Sequence, residues 1–242
     1  MTVTSQWEET LQTGLREMGI NGTRDQTNQF LRYMNLLIEW NQKMNLTAIT
    51  DPKAILTHHF LDSLTCAAHG SFSKTDQLVD VGTGAGFPGI PLAIAYPEKR
   101  FTLMDSLSKR IGFLEKVKSE LELANVKMVH CRAEEAGQTS QFREMFDAAV
   151  SRAVAPLPVL LEYVIPLIRP GGWFYCQKGT RWEKEMHSAK NACADLFVEL
   201  EEAIPAQVPL TDLHHQLLVF RKTRSTDPQY PRRPGVPSKK PL

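Results

Sequence analysis

A glycine-rich stretch in the first half of the chain has the residue types of a ligand-binding loop. It runs Asp80-Val81-Gly82-Thr83-Gly84-Ala85-Gly86 and follows the apolar residues Leu78 and Val79. Glycines let the backbone pass close to a ligand and adopt positive φ. In α/β sheets such a loop, placed directly after a strand, binds a nucleotide or a related cofactor. The loop therefore predicts a cofactor site, and the spacing of its glycines bears on the class of cofactor.

The glycine spacing favours S-adenosylmethionine (SAM) over a dinucleotide. A G-x-G-x-x-G fingerprint needs a third glycine at its sixth position, but counting from Gly82 that position is Phe87. Counting from Gly84 reaches Gly89 with Pro88 in between, which makes a strained helix entry. An acid two residues before G-x-G-x-G suits SAM instead, because the amino-acid end of SAM carries an ammonium group. A dinucleotide remains an alternative on the glycines alone.

Residues at the predicted strand ends strengthen the SAM interpretation. Asp80 ends the first strand, and Asp105 ends the second, where an acid accepts hydrogen bonds from both ribose hydroxyls. Ala133 and Glu134 follow the third strand, where the adenine edge is expected. A lone acid at such a place often only caps a helix, whereas two at adjacent strand ends fit a nucleoside. The predicted cofactor residues at this point are Asp80, Gly82, Gly84, Gly86, Asp105, Ala133 and Glu134.

Alternating strands and helices are needed to bring these strand ends together. From residue 77 onward, apolar strand-like runs alternate with helical stretches, which predicts βαβ units and a parallel sheet covered on both faces. We therefore expect a Rossmann-like, doubly wound, mostly parallel seven-stranded α/β sheet of the class I SAM-dependent methyltransferase type. The predicted strands are 78–81, 101–104, 126–130, 146–150, 173–177, 198–204 and 217–221, and the helices between them include 90–95, 109–123 and 157–168.

The two ends of the chain differ from this central part. Residues 1–70 have helical periodicity, with Asp51-Pro52 as a helix start, so we predict an N-terminal helical segment docked on the methyltransferase domain of residues 71–224. Residues 225–242 form a Pro-rich tail, either disordered or an extended strap. From residue 221 on there are seven basic residues and one acid, although the net charge of the whole chain is only +1. A basic tail on an acidic body is typical of a protein that contacts nucleic acid.

Several classes of protein are excluded or disfavoured by what the sequence lacks. The four cysteines are scattered without CxxC spacing, so neither a metal site nor a redox site is expected. The N-terminus lacks the basic and apolar regions of a signal peptide, and no apolar run is long enough to span a bilayer. We therefore expect a cytoplasmic protein with no membrane association and no obligate protein partner.

The nature of the methyl acceptor is narrowed by the residues after the fourth strand. Transferases that act on an exocyclic base amine usually carry an Asn/Asp-Pro-Pro-aromatic turn there, but this chain reads Ser151-Arg152-Ala153-Val154. A pyrimidine C5 transferase needs a nucleophilic cysteine, and Cys176 lies inside an apolar strand. Guanine N7 needs neither device, because it has no proton to lose when it attacks. A dinucleotide oxidoreductase, a non-catalytic RNA-binding factor and a small-molecule methyltransferase remain alternatives.

Longer motifs carry a resemblance to a known family. The chain resembles the ribosomal RNA small subunit methyltransferase G family, also called the glucose-inhibited division protein B family, from its N-terminal helices to its last residue. The Phe-Pro-Gly-Ile-Pro extension of the loop is the most specific of the matching segments. They are Asn45-Leu46-Thr47, His59-Phe60-Leu61-Asp62-Ser63-Leu64, the loop from Asp80 through Pro91, Arg132-Ala133-Glu134-Glu135, Ser151-Arg152-Ala153-Val154, Pro170-Gly171-Gly172, Lys178-Gly179 and the end from Arg233 to Leu242.

The resemblance implies a SAM-dependent enzyme that methylates N7 of one guanine of 16S rRNA, near the decoding region. It also implies that Gly82, Phe87, Ala133, Glu134 and Arg152 contact SAM, with Arg152 on the SAM carboxylate or on an RNA phosphate. The substrate is then 16S rRNA, the small ribosomal subunit or an assembly intermediate. No residue is assigned as a general base, and no metal is expected.

RNA contacts are predicted for polar and basic residues of the matching segments and of the tail. A structural or RNA-contacting role for His59 is favoured over a catalytic one. Trp182 is interpreted as a core residue rather than a platform for a flipped base. The predicted RNA-contacting residues are Asn45, His59, Lys178, Arg181, Arg232, Arg233, Lys239 and Lys240.

Overall fold

A seven-stranded, mostly parallel sheet forms the centre of the protein in the computed structural model, which describes residues 3–152 and 154–242. The strand order is β3-β2-β1-β4-β5-β7-β6, and only β7 runs antiparallel to its neighbours β5 and β6. The predicted α/β class, the parallel sheet and all seven strands are confirmed. The strands are β1 Gln77–Val81, β2 Arg100–Asp105, β3 Val126–His130, β4 Phe146–Arg152, β5 Ile168–Lys178, β6 Val198–Gln207 and β7 His214–Lys222.

Helices cover both faces of this sheet. Two long helices, Val3–Glu17 and Arg24–Met44, precede it, and a continuous helical stretch over residues 52–67 contains a π-helical segment, Ile55–Leu61. The chain order reverses between β1 and β4, and ligands of doubly wound sheets bind at that switch point. The helices within and after the sheet are Gly89–Ala95, Ser108–Glu120, Ala133–Ala136, Leu157–Val164, Trp182–Ser188, Lys190–Asp195 and Val236–Lys239.

The N-terminal helices pack on the sheet domain through specific bonds as well as apolar contacts. The side chain of Gln26 donates to the carbonyl oxygens of Ile94 and Ala95, and that of Gln29 donates to Leu121. Thr23 and Gln26 also form a reciprocal capping box at the start of the second helix, which satisfies otherwise unpaired amides. This helix is therefore held in a fixed place beside the glycine loop.

The Pro-rich C-terminal segment runs as an ordered strap along the domain. The Arg143 guanidinium donates to the carbonyl oxygens of Thr226 and Tyr230, and the Gln138 amide donates to Pro231. Of the two alternatives for the tail, the structure has the strap. The domain boundaries at residues 70 and 224 stay predictions. No helix in the described part of the chain is both long and apolar enough to cross a membrane.

Candidate cofactor and substrate site

A cavity of about 390 Å³ lies at the carboxyl ends of β1, β2 and β3. Four predicted cofactor residues line it, namely Gly82, Asp105, Ala133 and Glu134. Its volume is in the range of small-ligand sites. The remaining lining residues are Val81, Met104, Ser106, Arg110, Cys131, Arg132, Val154 and Tyr163.

The glycine loop beside this cavity requires glycine for two different reasons. Gly82, Gly84 and Gly86 have φ of 71°, 63° and 105°, which side chains with a Cβ rarely adopt. A Cβ on Gly82 would lie 2.7 Å from the Val154 side chain, and one on Gly86 would lie 2.7 Å from the Tyr33 hydroxyl. The loop therefore packs tightly in two places, against Val154 at the cavity and against the N-terminal helix.

Asp80 lies beneath the loop and shapes it. Its Oδ2 accepts hydrogen bonds from the Thr83 hydroxyl (2.6 Å) and the Gly89 amide (2.8 Å), while Oδ1 is buried without a partner among the described residues. Burial raises the pKa of Asp80 to about 7, against the lowering effect of these two hydrogen bonds. Asp80 does not line the cavity, so its predicted contact with an ammonium group stays a prediction.

Asp105 stands at the cavity and is almost fully buried. Its carboxylate accepts from the amide of Gly84 at 3.0 Å and from the amide of Leu107 at 2.9 Å. The Arg110 guanidinium, which also lines the cavity, pairs with it at 3.2 Å. The strand-end acid is thus held by the loop on one side and by a partly exposed arginine on the other.

Arg152 occupies the centre of a buried polar cluster at the end of β4. Its guanidinium pairs with Asp62 at 2.5 Å, donates to the carbonyl oxygen of His58 and lies over the Phe87 ring, 4.9 Å from the centroid. Nδ1 of His59 lies 3.2 Å from the same guanidinium. The cluster joins the π-helical segment, β4 and the glycine loop in one place.

His59 is a neutral side chain of that cluster. Its ring stacks on Phe87 at 4.4 Å, and its Nε2 lies 2.7 Å from the Thr47 hydroxyl. Burial, together with the charge of Arg152, lowers the pKa of His59 to about 3. The imidazole is therefore uncharged at physiological pH, which argues against phosphate binding by His59 through charge.

A second, larger cavity of about 760 Å³ adjoins the first, and Val154 lines both. Lys178 donates to Glu185 at 2.8 Å and to the Ala155 carbonyl at 2.8 Å. Arg181 and Lys184 have no ion pair within the described part of the chain. The other lining residues are Asp62, Arg152, Pro156, Gln177, Gly179, Ser188, Leu213 and His215.

Comparisons with known proteins agree with this arrangement. The chain matches the family described as rRNA small subunit methyltransferase G (GidB) over residues 26–209. It is 47% identical over 232 residues to a ribosomal RNA small subunit methyltransferase G of Alkaliphilus metalliredigens (strain QYMF), covering 96% of this chain and 97% of that one. A homologue of the same name from Clostridium tetani (strain Massachusetts / E88) is 44% identical over 96% of this chain and 97% of its own length.

The chain belongs to the rRNA small subunit methyltransferase G family.

Solved structures share the fold at low sequence identity. A putative sarcosine dimethylglycine methyltransferase from Galdieria sulphuraria superposes with a TM-score of 0.51 at 9% identity, covering 67% of this chain and 84% of that one. A putative transferase from Pyrococcus horikoshii gives 0.50 at 11% identity, covering 62% and 58%. The methyltransferase G family member described here therefore has the class I methyltransferase fold.

The RNA-contacting residues predicted for this methyltransferase G family member are distributed over three places. Lys178, Arg181 and Arg152 line the second cavity, and His59 contacts Arg152. Asn45 is exposed at the end of the second helix with φ of 48°. Among the tail residues, Arg233, Lys239 and Lys240 are exposed, whereas the Arg232 guanidinium is paired with the fully buried Glu162. Arg232 therefore has a structural partner, and the RNA contacts of all these residues stay predictions.

Sequence reasoning did not identify three residues that organise the site. Asp62 holds Arg152, Val154 separates the two cavities, and the Tyr33 hydroxyl donates to the Ala85 carbonyl in the glycine loop. Asp62 and Val154 lie inside the family motifs, and this position could have marked them as site residues. Nothing in the sequence distinguishes Tyr33, because it has the spacing of an ordinary core residue of an amphipathic helix.

Proposed function

We propose that the protein transfers the methyl group of SAM to N7 of a guanine in 16S rRNA. The observation that carries the proposal is the pair of adjoining cavities, which meet at Val154. One has the chemistry of a nucleoside site and the other has a basic lining. Family membership supports rRNA as the acceptor.

The residues of the smaller cavity fit SAM. Asp105 presents a carboxylate that suits the two ribose hydroxyls, and the bare backbone of Gly82 lets a ligand approach closely. Asp80 lies beneath the loop and holds its shape through Thr83 and Gly89, so its part in this site is to position the loop. When bound, SAM supplies an electrophilic methyl group on a sulfonium. The chain itself holds and orients the cofactor.

The larger cavity suits a base taken out of its stack, as enzymes acting on bases require. Arg181 and Lys184 provide positive charge at its edge for the RNA backbone. Both of its carboxylates, Asp62 and Glu185, are already paired with Arg152 and Lys178. Attack by guanine N7 on the methyl group needs no general base. A cavity whose acids are already ion-paired therefore supports N7 as the reacting atom.

Cysteine chemistry gives no support to a pyrimidine C5 acceptor. Cys176 lies fully buried in β5, and burial raises the pKa of its thiol to about 12. A protonated, inaccessible thiol is a poor nucleophile.

No group of three or more metal-binding side chains occurs among the described residues. Cytoplasmic location and a ribosomal RNA substrate, free or in an assembly intermediate, complete the proposal.

Calorimetry and methyl transfer test the proposal together. SAM should bind the protein and NADH should not, which separates the methyltransferase from the dinucleotide alternative. Labelled methyl from SAM should then reach 16S rRNA, and Arg181→Gln should raise KM for RNA without changing the Kd for SAM. Lys190→Gln, on a neighbouring helix outside the cavity lining, is the matched control and should change neither constant. Binding of NADH in place of SAM would contradict the proposal.

A further inference from the structure

The C-terminal strap contacts both walls of the smaller cavity. On one wall, the backbone amide of Gly235 donates to Glu134 Oε1 at 3.1 Å. On the other, Arg232 binds Glu162, whose chain neighbour Tyr163 lines the cavity. The strap thus connects two helices that are separate in sequence, Ala133–Ala136 and Leu157–Val164.

Arg232 is attached to Glu162 through three hydrogen bonds. Glu162 is fully buried, and its Oε1 accepts from both the backbone amide and Nε of Arg232 at 2.8 Å. Its Oε2 accepts from Nη2 at 2.6 Å, and the same Nη2 donates to the Lys240 carbonyl. A two-point guanidinium–carboxylate contact specifies geometry as well as supplying energy. The position of the strap is therefore fixed at Arg232.

The turn that follows Arg232 connects this fixed point of the strap to Glu134. The Val236 amide donates to the Arg233 carbonyl, and Gly235 has φ of 81°, a conformation that favours glycine. The Ser238 hydroxyl donates to the Gly235 carbonyl. The amide of Gly235 is thereby aimed at Glu134, which is 6% exposed and lines the cavity.

We propose that Arg232 is a positioning residue for the cofactor site, acting through the Gly235 amide on Glu134. The strap holds the Glu134 wall of the cavity in place for the cofactor, so part of the basic tail serves cofactor binding rather than RNA binding. The inference rests on the proposed function, because it takes the smaller cavity as the SAM site.

A double-mutant cycle on SAM binding tests this role. Arg232→Gln should raise the Kd for SAM about tenfold, the effect of one lost hydrogen bond to a charged group. In a Glu134→Ala background the same change should raise the Kd by less than about twofold, because its target is gone. The matched control is Arg233→Gln, the same change at the neighbouring exposed position, which should leave the Kd for SAM unchanged. Steady-state kinetics should show a higher KM for SAM and an unchanged KM for RNA with Arg232→Gln.

Folding of the variant has to be separated from positioning, because Arg232→Gln leaves the buried Glu162 unpaired. Binding is measured well below the Tm of each variant. Arg232→Lys keeps a cation beside Glu162 and loses the two-point contact, so it should fold and still raise the Kd for SAM. This inference alone would be overturned if both variants bound SAM with the Kd of the wild-type protein. It would also be overturned if Arg232→Gln raised the Kd for SAM equally with Glu134 present and with Glu134→Ala. A wild-type protein that binds no SAM would overturn the proposed function and this inference with it.

Discussion

At the scale of single residues, the glycines of the loop differ in the space that surrounds them. Gly84 has open space where a Cβ would be, apart from its own loop, whereas Gly86 is surrounded by Tyr33, Ile90 and Leu114 at 2.7–2.9 Å. Both have positive φ, so a residue with a Cβ would be strained at either position. Only Gly86 adds steric overlap inside a packed core.

The first prediction compares alanine at these two positions. Gly86→Ala should destabilise the protein by about 2–5 kcal/mol, the sum of backbone strain and overpacking. Gly84→Ala, the matched control, should cost about 1–2 kcal/mol, from strain alone. Urea denaturation of both variants gives the two values. Equal losses of stability would show that the space around Gly86 is not restrictive.

His59 and Asp80 give the second prediction, on pH. The pKa of His59 is lowered to about 3 in the folded protein. As pH falls below about 6.5, His59 becomes protonated in the unfolded state but stays neutral in the folded state. The free energy of unfolding therefore decreases as pH falls. His59→Gln removes this effect and should gain about 1–2 kcal/mol relative to wild type between pH 7 and pH 5.

Asp80 provides a control of opposite sign for that measurement. Its folded pKa of about 7 lies above its ordinary value, so the folded state binds the proton first and stability rises as pH falls below 7. Asp80→Asn should therefore lose stability relative to wild type over the same range. Denaturation curves at several pH values test both. Parallel pH profiles for wild type and the two variants would contradict the assigned shifts.

At the scale of elements, the N-terminal helix Arg24–Met44 packs against the glycine loop. Tyr33 on this helix is fully buried, donates to the Ala85 carbonyl and stacks on Phe60 with ring centroids 5.0 Å apart. Phe87 of the loop packs against both rings. The helix therefore supports the loop from behind, at a distance of some fifty residues along the chain.

The third prediction removes only the hydroxyl of Tyr33. Tyr33→Phe should raise the Kd for SAM about two- to tenfold, the range for one neutral hydrogen bond, because the loop carbonyl loses its donor. Tyr96→Phe is the matched control, since its hydroxyl makes no hydrogen bond among the described residues. It should bind SAM with the wild-type affinity. Equal behaviour of the two variants in calorimetry would contradict a role for the helix in holding the loop.

The sequence predicted the elements of the sheet better than the contacts between them. The periodicity around β1 and the loop was strong enough to place both, because these signals are local. The fifth strand is predicted over residues 173–177, whereas β5 begins at Ile168 and includes Gly171 and Gly172. A Cβ on Gly172 would lie 2.5 Å from the Asp147 carbonyl oxygen, so the glycine there permits a close strand approach rather than a turn.

Contacts across long stretches of chain could not be predicted in this way. The family resemblance places Arg152 on the SAM carboxylate or on an RNA phosphate, but Asp62, ninety residues earlier, is its partner within the protein. Arg232 was assigned to RNA with the rest of the tail, and Glu162 binds it. Neither pairing leaves a periodic or local trace in the sequence. Only the fold determines which charges remain available to a ligand.

At the scale of the whole molecule, part of the positive charge that the sequence shows after residue 220 is already paired within the protein. Lys222 is fully buried and binds Glu144 at 2.7 Å, and burial lowers its pKa to about 8. Arg232 is paired as well, which leaves Arg233, Lys239 and Lys240 as exposed charges near the chain end. Truncation after Thr223 would therefore remove structural contacts together with the predicted RNA contacts, and we expect it to lower both the Tm and the affinity for SAM.

The fourth prediction replaces truncation with a cleaner change. Neutralising Arg233, Lys239 and Lys240 together with glutamine should weaken RNA binding and reduce the slope of log K against log salt by about 2, as expected for three lost contacts to single-stranded phosphates. The Kd for SAM should not change. RNA binding measured from low to high salt tests this. An unaltered slope would show that these three residues do not contact RNA phosphates.

Methyl mapping of 16S rRNA tests the central claim most directly. Purified protein and labelled SAM are incubated with 16S rRNA, an assembly intermediate and the intact small subunit, all lacking the modification, and the labelled nucleoside is identified by mass spectrometry. We predict 7-methylguanosine at a single position in at least one of these RNAs. Label on another nucleoside or on another atom of guanine, or no transfer to any of the three by protein that binds SAM, would contradict it.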